Sequence, residues 1–200
     1  METLLPFLLF AFVASITPGP TNILVLTNSS RYGVLRTLPF MFGGCAGAAL
    51  LVLAVGTGLG DLLTRYPGVQ TIMSWVGIVW LTWLAWRIFS AAAQAIGTEE
   101  THRKSRLGLT GGASLQLVNP KTWMMALAVV SVFAGTDTDR MARIAVLSGA
   151  FFLISLACST AWAYAGMSAS RFIRSAQSMK RFNQVMALLL LASAWLSLVI

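Results

Sequence analysis

Six stretches of this 200-residue chain run for 18 to 29 residues without an aspartate, a glutamate or an arginine. They are Leu4–Leu26, Leu38–Gly60, Val69–Trp86, Leu107–Gly135, Ile144–Ser168 and Phe182–Ile200, and only the fourth contains a lysine. A bilayer core of about 30 Å takes roughly 20 apolar residues of helix to cross, so each stretch meets or nearly meets the length of a transmembrane span. Strands of an outer-membrane barrel would alternate apolar and polar residues over segments of about ten, and these stretches do not. The expected fold is therefore all-α and integral to a membrane, with six transmembrane helices in one polytopic domain over residues 1–200.

Charge placement agrees with this reading. Only 10% of the residues are Asp, Glu, Lys or Arg, against roughly 25% in an average soluble domain, and they gather in short clusters between the apolar stretches. The net charge of +8 would suit a nucleic-acid binder, but the basic residues flank spans and do not form one soluble basic face. Lys and Arg favour cytoplasmic loops. The gaps after spans 1, 3 and 5 hold ten of them, among them Arg31, Arg36, Arg87, Lys180 and Arg181; the alternate gaps hold Arg65, Arg140 and Arg143. Both termini are thus expected outside the cytoplasm. Met1-Glu2-Thr3 lacks the basic start of a signal peptide, so the first span is expected to be retained.

The longest polar connection, 91–106, contains Glu99, Glu100, His102, Arg103 and Lys104. It is expected to be a cytoplasmic linker dividing the chain into half-repeats 1–90 and 107–200. Three spans per half is an odd number, so the second half must enter the membrane from the opposite side, as two inverted three-helix repeats built for alternating access require.

Spans 1 and 4 each contain a helix breaker. Thr17-Pro18-Gly19-Pro20 stands in the first and Asn119-Pro120-Lys121 in the fourth. Each proline removes a backbone donor and clashes with the preceding turn. Such a break survives at membrane depth only where protein or a water-lined cavity satisfies the freed groups. Pro18 lies 14 residues after Leu4 and 13 before Arg31; Pro120 lies 14 after Arg106 and 17 before Asp137. Both breaks are expected near mid-membrane, and such paired interruptions are the best sequence pointer to a solute site. Lys121 is the one charge deep in any span, against an insertion cost of at least ~2.5 kcal/mol. A solute carboxylate is its expected partner through a charge-assisted hydrogen bond. Thr17, Asn22, Gln116 and Asn119 are expected to surround it with neutral hydrogen bonds. With no acid at membrane depth, the solute is expected to be neutral or zwitterionic, and no carboxylate relay for protons is in view.

Other chemistry is weaker. Gly43 and Gly47 have the spacing that lets helices pack closely. Cys45 and Cys158, one in each half, raise the alternative of a membrane thiol–disulfide reductant carrier, but their depths match poorly, and small buried residues are the plainer reading. A single histidine, in a loop, excludes an HExxH metal site. No metal, cofactor or enzymatic activity is expected.

The Thr17-Pro18-Gly19-Pro20 segment, the Trp83-Leu84-Ala85-Trp86-Arg87 close of span 3 and Gln116-Leu117-Val118-Asn119-Pro120-Lys121 occur in the order and spacing of the LysE/RhtB amino-acid exporters, which the chain resembles along nearly its whole length. Met73-Ser74-Trp75-Val76-Gly77 and Asn183-Gln184-Val185-Met186-Ala187 are most similar to its cysteine/O-acetylserine exporter branch. The resemblance implies proton-driven efflux of a small amino acid or derivative, of cysteine/O-acetylserine, threonine or homoserine type, across a bacterial inner membrane. Many members of the family carry an acid after the second-span glycine, whereas Gly47 is followed by Ala48, which argues against a basic solute.

Overall fold

A computed structural model describes residues 4–90, 107–135, 139–172 and 175–196. The expected linker 91–106 and its charged residues lie outside the described residues, as do Asp137 and Arg174. All elements within them are helical: α1 (Leu4–Ile16), α2 (Pro20–Tyr32), α3 (Val34–Ala54), a π-helical turn (Val55–Leu59), α4 (Gly60–Arg65), α5 (Pro67–Phe89), α6 (Leu109–Val118), α7 (Pro120–Phe133), α8 (Arg140–Phe172) and α9 (Ala176–Leu196).

Proline and glycine punctuate this order. Pro20, Pro67 and Pro120 each open a helix, where the missing N–H would have had no intrahelical partner anyway. Gly33, at φ 80°, stops α2 and donates its N–H to Ser29 O at 2.9 Å, a left-handed stop that glycine tolerates without a Cβ penalty. Gly58, at φ 123°, turns the chain inside the π-helical segment.

Among the described residues three helical stretches are long and apolar enough to cross a membrane: Val34–Leu59, Thr71–Phe89 and Arg140–Ser170. The pair α1 and α2, bent by 54°, makes a fourth when counted as one broken span. The remaining two expected spans fall short of that measure for separate reasons. In the fourth the break leaves helices of 10 and 14 residues, while the 21-residue α9 begins with Lys180, Arg181, Asn183 and Gln184 in its first turns.

Helices α3 and α8 pack against each other at the centre and hold the broken helices: α3 meets α6, α7 and α2, and α8 meets α2 and α1, while α5 pairs with α9 at one side. The α3–α6 crossing is close on both sides. A Cβ on Gly43 would stand 2.0 Å from Leu109 O, and one on Gly112 would stand 2.1 Å from Phe40 O, so the expected small-residue face of span 2 is where backbone meets backbone. Two apolar clusters result. One gathers Ile23, Phe40, Met41, Leu81, Leu115 and Leu190, the other Phe7, Leu51, Val129, Ile144 and Phe151. Outward, Leu5, Leu35, Val79, Trp86, Val146 and Leu153 are all exposed, an apolar surface far larger than a water-soluble monomer carries and suited to lipid.

Candidate solute site between two broken helices

Between the two apolar clusters lies a polar layer. On α3 it falls at Cys45, after Met41 and before Ala48; on α8 it falls at Ser155 and Ser159, between Phe151 and Ala163. A cavity of about 50 Å³ opens here, lined from α1, α2, α3, α6, α7 and α8. That volume holds a few waters or a small polar group.

Both expected breaks are present, and they meet at this cavity. The first leaves Thr17, Pro18 and Gly19 outside any helix; the second leaves only Asn119. Pro20, Pro120 and Lys121, expected within the breaks, are instead the first helical residues beyond them. Gly19 and Asn119 occupy the N-cap positions in extended conformation, and neither α2 nor α7 has a side-chain cap. Each therefore begins with backbone donors uncapped by a side chain, at the positive end of a helix dipole.

The carbonyls freed at the end of α1 are claimed from three other elements. Asn22 donates its amide to Ser15 O at 2.8 Å and to Thr17 O at 2.9 Å. Trp162 donates its indole N–H to Ile16 O at 3.1 Å. Lys121 donates Nζ to Thr17 O at 3.0 Å and Pro18 O at 3.5 Å, and the Thr17 hydroxyl turns back to Val13 O. Each such carbonyl left bare in lipid would cost several kcal/mol, and a cation at a helix C-terminus is favoured by the dipole as well. From sequence, Lys121 is expected to hold a solute carboxylate; its partners here are carbonyls of the other half of the chain. Gly19 makes room for it, since a Cβ there would lie 3.1 Å from both Cδ and Nζ of the lysine.

The second break is tied mostly to itself. Thr122 donates to Gln116 Oε1 at 2.7 Å, Gln116 Nε2 donates to Gly112 O and Thr21 Oγ1, and Asn119 Nδ2 reaches the same Thr21 oxygen at 3.3 Å. Trp123 donates to Leu117 O at 2.9 Å. Asn119 Oδ1 is buried without a partner. Opposite the breaks, Ser15 and Ser155 share a hydrogen bond at 3.1 Å, and Cys45 Sγ stands 3.7 Å from Ser159 Oγ.

Of the nine residues expected to form the site, Gly19, Pro20, Asn22, Gln116, Asn119 and Lys121 line the cavity; Thr17, Pro18 and Pro120 do not, though each is next in sequence to a residue of the breaks. Among the described residues no three metal-ligating side chains converge. The two cysteines are unbonded and line different cavities, Cys45 the polar one and Cys158 an apolar groove with Leu8, Phe12 and Ile154.

A chain-wide family match now joins this geometry: residues 12–199 match the family described as LysE type translocator. The chain belongs to that family. Among similar proteins, the "Cysteine/O-acetylserine efflux protein" of Salmonella choleraesuis (strain SC-B67) is 28% identical over 194 residues, covering 94% of this chain and 96% of that protein. Proteins of the same description from Escherichia coli O139:H28 (strain E24377A / ETEC) and Shigella flexneri are 26% and 27% identical, each over 94% of this chain and over 93% and 96% of their own length. No solved structure matches.

Sequence reasoning missed several of the translocator's cavity residues. Thr21 and Thr122 each follow a break by a residue or two, on the first turn of the outgoing helix, and adjacency to the breaks could have marked them. Ser155 and Ser159, with Ser148 one turn-pair earlier, recur on one face of α8 at helical spacing; that small polar stripe was legible in span 5. Ser15 carried no comparable signal.

Proposed function

We propose that this translocator exports a small neutral or zwitterionic amino acid, of the cysteine/O-acetylserine, threonine or homoserine type, from the bacterial cytoplasm by proton-coupled alternating access. The observation that carries the reading is the convergence of two uncapped helix N-termini, Gly19–Asn22 and Asn119–Thr122, on one polar cavity. Helix N-termini favour anions through their free N–H groups and dipole, so the solute carboxylate docks between α2 and α7. Thr17, Pro18, Gly19, Pro20, Asn22, Gln116, Asn119, Pro120 and Lys121 form the binding site and its immediate support. Among the described residues no Asp or Glu lines the cavity, which disfavours a cationic side chain on the solute.

Six spans in two inverted halves account for the packing. Pairing α1 with α6, α2 with α7, α3 with α8 and α5 with α9 relates the α3–α6 contact to α8–α1 and the α2–α8 contact to α7–α3, and all four occur. The α3–α8 and α5–α9 contacts map onto themselves, as elements beside a pseudo-two-fold axis do. Rocking one half against the other around a fixed mid-membrane site follows from that arrangement. In the inner membrane, the Lys and Arg bias puts both termini on the periplasmic side.

Uptake into inside-out vesicles tests this. Labelled cysteine, O-acetylserine, threonine, homoserine and lysine are supplied with and without a pH gradient. Gradient-dependent accumulation of one or more of the first four, with lysine excluded, is expected; accumulation of lysine alone, or of none, overturns the reading. Cys158→Ala is expected to keep transporting, whereas a thiol–disulfide carrier would be dead.

A further inference from the structure

An amino acid brings an ammonium as well as a carboxylate, and an ammonium needs acceptors. The acceptors gathered at the break of α1 are Thr17 O and Pro18 O, at the negative end of a helix dipole, and the Lys121 ammonium already occupies both. Two like charges cannot share one pair of carbonyls without strong repulsion in a site of low dielectric. We propose that Lys121 is the proton carrier of the translocator, its ammonium and the solute's ammonium taking turns on the Thr17 and Pro18 carbonyls. The inference rests on the amino-acid export reading above.

Ionisable groups near the lysine are few. Of the described residues lining the cavity, only Lys121 and Cys45 carry ionisable groups, and the thiol faces Ser159. From the elements packed on α7, the break of α1 and α2 presents only Thr17, Pro18 and Gly19, and α6 presents neutral amides. The charged residues of α3, α5 and α8 stand in end turns: Arg36 and Arg87 on the first two, Arg140, Arg143 and Arg171 on the third. Tyr164 of α8 is exposed. A lysine, unlike an arginine, can surrender its proton.

The cycle balances. With the site open to the cytoplasm, Lys121 Nζ gives a proton to water and the neutral amine leaves the carbonyls. The zwitterion enters, its ammonium on Thr17 O and Pro18 O and its carboxylate at the N-termini of α2 and α7. With the site open to the periplasm the solute departs, Nζ takes a proton from water, and the ammonium returns to the carbonyls. Release breaks an N–H bond and forms an O–H bond on water, and uptake on the other side reverses both. A proton moves inward for each solute moved outward.

Competition of this kind has a pH signature. In proteoliposomes, the half-saturating concentration of labelled threonine or cysteine, whichever the purified protein exchanges, is measured by counterflow with equal pH on both sides. Between about pH 5.5 and 7.5 the solute's own charges barely change, and the half-saturating concentration is expected to rise about tenfold for each unit that pH falls, as linkage to one competing proton requires. In Lys121→Met and Lys121→Gln the rise is expected to vanish, with gradient-driven accumulation lost and counterflow slowed. Lys121→Arg, always charged, is expected to lose counterflow. A pH-independent half-saturation in the unmodified protein overturns the proposal by itself, even if no variant folds. So does gradient-driven accumulation by Lys121→Met, or normal counterflow by Lys121→Arg. Absence of counterflow with every amino acid in the unmodified protein would instead sink the export reading on which this one stands.

Discussion

The two breaks begin alike and end differently. Each opens its outgoing helix with a proline and leaves that helix without a side-chain cap. The first, however, takes three residues out of helix, and its carbonyls are held by side chains of α2, α7 and α8. The second takes out one residue, and its polar groups are held chiefly by neighbours within seven positions, with Thr21 as the link to the other half. The second break also sits on a backbone seat: Gly77 of α5 approaches so near that a Cβ would stand 1.9 Å from Val118 O. Bonds between near neighbours join only the two arms of one break, whereas bonds from distant segments tie separate parts of the chain together. The first break is thus fastened to α7 and α8 as well as to α2, and the second chiefly to its own two arms.

Exchange of the two asparagines tests that contrast most strongly. Asn22→Ala leaves Ser15 O bare and Thr17 O to Lys121 alone at the end of α1, a loss of several kcal/mol at membrane depth, and is expected to lower thermal stability in detergent sharply and abolish transport. Asn119→Ala removes a single long bond to Thr21 and is expected to destabilise by about 1 kcal/mol. Equal losses for the two would break the comparison.

Next in size is the crossing of α6, which leads into the second break, on α3. Gly112→Ala drives a Cβ into backbone atoms of α3 at Phe40 and Gly44, which cannot swing aside as a flexible side chain does. A loss of about 1–3 kcal/mol is expected from overpacking of this kind, read as a lowered melting temperature. Gly149→Ala on α8 meets open space and serves as the silent control.

The smallest effects come from the tryptophans. Trp162→Phe removes the donor to Ile16 O in the first break, and Trp123→Phe the donor to Leu117 O in the second. Each is expected to destabilise by about 0.5–1.5 kcal/mol. Transport rate, measured in the same vesicles, is expected to fall for Trp162→Phe and hold for Trp123→Phe, because only the former bond ties distant segments of the chain, whereas the latter joins the two arms of one break.

Six of the nine residues read from sequence as the site line the cavity, because a proline in hydrocarbon states its consequence locally: the helix must stop, and something polar must be near. The role expected of Lys121 shows where such reading ends. Sequence shows an uncompensated cation and suggests an anion as partner; which acceptor it meets depends on a chain segment 104 residues away. Thr21 and Thr122 stand close enough to the breaks for adjacency to mark them, but that Thr21 meets Gln116 and Asn119 of the other half is settled only by the fold.

Length and periodicity of apolar runs, the placement of charges and the positions of prolines determined by themselves that this chain is helical, suited to lipid and twice interrupted. Those properties follow from backbone chemistry and solvent, which act residue by residue. The tertiary structure alone decided that the interruptions meet, that the lysine of one half closes on the carbonyls of the other, and that serines of α8 complete the cavity. Hydrogen bonds between distant segments have no local precursor, and a sequence can offer the donors and acceptors without saying which of them will be neighbours.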